Sequence, residues 1–172
     1  MAIYAKIISN SGTYIDLITS SFYIGSVGMR LANGTLVQKY GAHKLMLIGS
    51  VLCIIACFAH NFAGTIIALI FFRVLHGAGY SIFSTASGTA ASYMVPQSRI
   101  SEGMGYFTLG NVLAMALGPS MALTIVSNNT ITQFHYIFNI ATIICITALI
   151  LVCFLKSSQK VNSCSEITKN KI

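Results

Sequence analysis

The sequence predicts an all-α, multi-pass transmembrane helical bundle, and three observations carry that prediction. The 172 residues are 55% hydrophobic and only 8% charged, with a mean hydropathy of +0.78. The apolar residues fall in blocks of about twenty, the length a helix needs to cross hydrocarbon, instead of at the spacing of an amphipathic surface helix. The blocks are also continuous, whereas membrane barrel strands alternate in polarity over about ten residues. The same composition excludes a soluble globule.

Five spans follow in order along residues 13–155. The first runs from Thr13 to Val37 and carries Ser21 and Gly25, small residues one helical turn apart. The second, Leu45 to His60, is short; Asn61-Phe62 and the Lys44 side chain reaching to the interface complete it. The third, Ala63 to Tyr93, exceeds the bilayer's thickness and is expected to tilt or protrude. The fourth, Gly103 to Ser127, contains Gly118-Pro119, where proline removes a backbone donor and clashes with the preceding turn, so a kink is expected. The fifth is Phe134 to Leu155. Residues 1–12 are expected outside the cytoplasm, and 156–172, polar and rich in serine and lysine, as a disordered cytoplasmic tail.

Charge sets the orientation. The chain carries a net charge of +7, which on a soluble protein would suggest nucleic acid. Here the cations gather in short loops and the tail beside apolar blocks, as topology signals do, and no nucleic-acid partner is expected. Lys39, Lys44, Arg99, Lys156, Lys160, Lys169 and Lys171 fall on one side and Lys6 on the other. The richer side is cytoplasmic, which places the glycine-punctuated basic turn from Gly34 to Lys44 and the carboxy-terminal end there, in the cell membrane. Asn128-Asn129-Thr130 matches a glycosylation pattern on the outer side, but no function is attached to it.

Few residues carry chemistry. Arg30 and Arg73 lie well inside their spans, where an arginine costs about 2.5–3.5 kcal/mol on insertion scales and normally faces a bundle interior or aqueous cavity. The acidic residues are Asp16, Glu102 and Glu166, none of them at the depth of Arg73. For both arginines two readings stay open, contact with substrate or coupling ion and a structural bond to neighbouring backbone. Arg99 and Glu102 are placed to pair across their loop, an interaction worth about 0–1 kcal/mol at an exposed site. Cys53, Cys57 and His60 share one helical face, but without a fourth partner they read as packing residues, so no metal or other cofactor is expected. No nucleophile–base set appears, which argues against an enzyme. Small residues also recur at four-residue spacing at Gly77 and Ser81, Ser84 and Gly88, and Gly110, Ala114 and Gly118, as in helices built to pack on helices within lipid.

Taken in order, these motifs resemble the amino-terminal half of a major facilitator superfamily transporter, from its second to its sixth helix. Gly34, Leu36, Gln38, Lys39, Tyr40, Gly41, His43 and Lys44 are similar to the signature between that family's second and third helices. Leu69, Arg73, Gly77 and Gly79 resemble its fourth-helix arginine motif, and Gly110 with Gly118-Pro119 its fifth-helix antiporter motif. Arg99, Glu102, Gly103, Met104, Gly105 and Tyr106 are similar to a loop common in its bacterial efflux members. Two positions depart from the family's turn, Gln38 in place of an aspartate and Ala42 in place of an arginine. The resemblance implies secondary transport by alternating access, with a small-molecule substrate near the midplane and protons as the coupling ion. It tilts toward export of drugs or small organic compounds. It also implies that a first helix and a second half are missing, to be supplied by another chain or by self-association. The alternative is a truncated, non-transporting membrane fragment or a helix-packing subunit.

Overall fold

A computed structural model describes residues 12–125 and 131–154. Its elements are α1 (Gly12–Tyr40), α2 (Ala42–Ala59), a 3₁₀ turn (His60–Phe62), α3 (Ile66–Met94), a second 3₁₀ turn (Gln97–Arg99), α4 (Ile100–Ile125) and α5 (Ile131–Phe154). The chain is a helical bundle, as its apolar blocks require, because in lipid every backbone donor and acceptor must be satisfied within the segment. Among the described residues, three stretches are long and apolar enough to cross a membrane: Ala42–Phe62, Ile66–Met94 and Tyr136–Phe154. Helix α1 is more dilute in apolar residues, through Asp16, Arg30 and Lys39. The amino-terminal segment before Gly12, Asn128-Asn129-Thr130 and the tail from Lys156 lie outside the described residues.

The expected turn is tighter than the sequence suggests. Helix α1 continues through Gly34, Leu36, Gln38 and Lys39 to Tyr40, and α2 begins at Ala42. A single residue, Gly41, turns the chain at φ 83° and ψ 151°, a conformation essentially reserved for glycine. The physical reason is that a helix satisfies its own backbone, so it runs to the last residue that can remain helical.

Helix α3 forms the centre, with α1 and α2 packed along it and α5 against α2. Near Gly41, Leu45, Met46, Ile82, Ala86 and Val152 form one buried cluster; near His60, Ile18, Ala63, Leu69 and Phe138 form another. Glycine allows the close approach between them. A Cβ at Gly25 would collide with the Val74 carbonyl and one at Gly77 with the Phe22 carbonyl, so the α1–α3 seam is backbone against backbone. On the other side of α3, a Cβ at Gly49 of α2 would lie 2.6 Å from the Phe83 nitrogen. Helix α4 packs sparsely against α3 and α5, and runs as one helix through Pro119. A Cβ added at Gly110 or Gly118 would meet nothing within 4 Å, so that small-residue face is uncovered among the described residues.

Candidate functional site

The polar side chains inside the bundle gather along the α1–α3 seam and at its junction with α2. Asn33 of α1 is 1% exposed, and its amide nitrogen donates to Ser81 Oγ at 3.0 Å and Thr85 Oγ1 at 3.2 Å on α3. Its carbonyl oxygen, Oδ1, has no partner. The sequence reading did not single out Asn33, although an asparagine within an apolar span is itself a signal for an interhelical hydrogen bond.

About two turns toward the His60 end lies Arg73. It is half-buried, with its guanidinium carbon 5.5 Å from the centroid of the Phe22 ring, a cation–π contact across the seam. Its buried Nε has no hydrogen-bond partner among the described residues, so neither a carboxylate nor a carbonyl meets it there. One turn along, the His76 ring stands edge-to-face to Phe22 at 5.6 Å, and its Nε2 lies 3.8 Å from Cys57 Sγ of α2. His60 is fully buried; its Nδ1 donates to the Ala56 carbonyl, which leaves Nε2 as the acceptor of the neutral ring. That Nε2 and His76 Nδ1 are also without partners, and the two imidazoles stand 6.0 Å apart. Thus three of the four unpartnered buried side-chain atoms among the described residues fall in this one cluster. Phe22 and His76 were not picked out from the sequence, because they meet Arg73 and Cys57 only through helix packing.

The remaining candidates are placed as follows. Arg30 is exposed on α1, two turns along from Tyr23. Around Gly41, Leu36 packs on the buried cluster while Gln38, Lys39 and Lys44 are exposed, with Lys39 Nζ 5.4 Å from the Tyr40 ring centroid. His43 in the same motif donates from Nε2 to the Val152 carbonyl at 3.0 Å, tying α2 to α5. Arg99 and Glu102 pair through two hydrogen bonds, 2.9 and 3.1 Å, at the exposed start of α4. Among the described residues, no three His, Cys, Asp or Glu side chains are arranged to hold a metal ion.

The described residues thus form a helical bundle with a glycine-tight seam, an arginine in its polar interior and a one-residue turn between its first two helices. The Major Facilitator Superfamily profile matches residues 1–169, and the chain belongs to that family. It is similar to proteins of Salmonella typhimurium and Salmonella enteritidis whose provisional name is multidrug resistance protein MdtD. The identity in each case is 24% over 134 residues, covering 78% of this chain and 28% of the relative. The chain therefore spans less than a third of the length of those relatives.

Proposed function

We propose that the chain works as part of a secondary active transporter that exports a drug or small organic solute in exchange for protons, by alternating access, rather than as an enzyme. The observation that carries this reading is Arg73, a charge held inside a helix of a facilitator-type bundle with no partner for its Nε, which is the usual mark of a functional site in lipid. The relatives named for multidrug resistance support the export reading. In this reading Lys39, Lys44 and Arg99 face the cytoplasm of the cell membrane, and Gly34, Gly41, Gly118 and Pro119 serve helix movement. Arg30 is a second candidate for coupling.

The test is flux in proteoliposomes, comparing this chain alone with a version extended by a first helix and a second half from a relative. Proton-driven efflux of a lipophilic dye is expected from the extended version, and Arg73→Ala is expected to abolish its proton dependence; unaltered flux would reject the role of Arg73. A second reading, a helix-packing subunit that acts by association, is favoured by the uncovered face of α4 at Gly110 and Gly118. It predicts no flux in either version and a stable complex with another membrane helix.

A further inference from the structure

We propose that Phe22, Arg73 and His76, with Tyr23 and Tyr80 at the open rim, form a seat for an aromatic organic anion. The inference starts from charge. Arg73 sits inside a membrane helix, and among the described residues the only ion pair is Arg99–Glu102, at the far end of α3. Asp16, the remaining acidic residue described, is exposed on α1 and lies about 10 Å along the seam from the level of Phe22. The Phe22 ring face offsets part of the desolvation of the guanidinium through a cation–π contact. It does not accept a hydrogen bond in the guanidinium plane, so the donor at Nε is left over.

His76 carries an orphaned ring nitrogen beside Arg73. His76 Nε2 lies 3.8 Å from Cys57 Sγ, and its Nδ1, one turn from Arg73 on the same helix, has no partner among the described residues. The arginine charge, with no acid beside it among the described residues, suits an anionic oxygen and disfavours a cation by direct repulsion. Aromatic rings surround the two side chains. Phe22 packs against Tyr23 at 5.7 Å and Tyr80 at 5.7 Å between centroids, and those two tyrosines are 64% and 41% exposed. Partly exposed rings offer stacking and edge contacts to a flat apolar body attached to the charged group. His60 Nε2, an acceptor beyond His76, adds a place for a hydroxyl hydrogen.

This rests on the transporter reading for the physiological role of the ligand, whereas the seat is tested by binding alone. The full chain, reconstituted in lipid nanodiscs, is titrated with 1-naphthoate, 1-naphthylmethylammonium and acetate, with far-UV circular dichroism confirming that each variant keeps its helicity. Saturable naphthoate binding is expected, weakened roughly tenfold by Arg73→Gln, the loss of one charge-assisted hydrogen bond, and less by Arg73→Lys. Tyr80→Ala, at the rim, should weaken naphthoate while leaving the fold intact. Equal binding by Arg73→Gln, or a preference for the ammonium, would overturn the proposal. Acetate competing as well as naphthoate would overturn it too, since the seat would then fit a bare carboxylate such as a side chain of the rest of a transporter. Naphthoate binding without flux in the extended version would count against transport and leave the seat standing.

Discussion

Asn33 carries more structural consequence than its ordinary place in the sequence suggests. In lipid no burial of apolar surface drives helices together, so packing and interhelical hydrogen bonds must do so. Asn33 supplies two such bonds to Ser81 and Thr85. A double-mutant cycle of Asn33→Ala and Ser81→Ala, read by unfolding in sodium dodecyl sulfate, should give a coupling energy of about 0.6–1.7 kcal/mol, the range of such bonds within membranes. A coupling near zero would mean that glycine packing alone holds the seam. The sequence displayed Arg73 clearly, because a charge within an apolar block stands out; it did not display Phe22 or His76, whose importance is conferred by helices distant in the chain. The shared face of Cys57 and His60 was visible as periodicity, but the partner of Cys57 is His76, on another helix.

All five helices were legible, since continuous apolar blocks admit no other backbone solution in a bilayer. Their ends were less so: α1 absorbs most of the expected turn, leaving Gly41 alone to reverse the chain. Small-residue spacing marked α1, α3 and α4 as helices built to pack on other helices, but which pair meets, and the matching of Gly25 with Val74 and Gly77 with Phe22, depends on the register between helices, which spacing within each helix does not encode. Leucine at Gly77 should force α1 from α3 and destabilise the bundle by about 1–3 kcal/mol in the same unfolding assay, the usual cost of overpacking. Gly88→Ala should be tolerated, because a Cβ there meets only Phe107 Cε1, at 3.9 Å. If both variants unfold alike, the seam is not the tight contact described.

For the molecule as a whole, the distribution of lysine and arginine makes a direct prediction about orientation. Single cysteines placed at Lys44 and Gln97, on a background lacking the native thiols, should react with an impermeant maleimide only from the cytoplasmic side, and one at Gly64 only from outside. The reverse pattern would invert the topology. The bundle also orders its own assembly in time. The helices α1 and α3 that share the central seam are not neighbours in the chain: Ser81 follows Asn33 by 48 residues, with all of α2 between them. At synthesis rates of about 5–20 residues per second, Asn33 waits about 2–10 s for its partners to emerge. During that interval the Asn33 amide is without Ser81 and Thr85, so the seam between α1 and α3 closes only after all of α2 and half of α3 have been made.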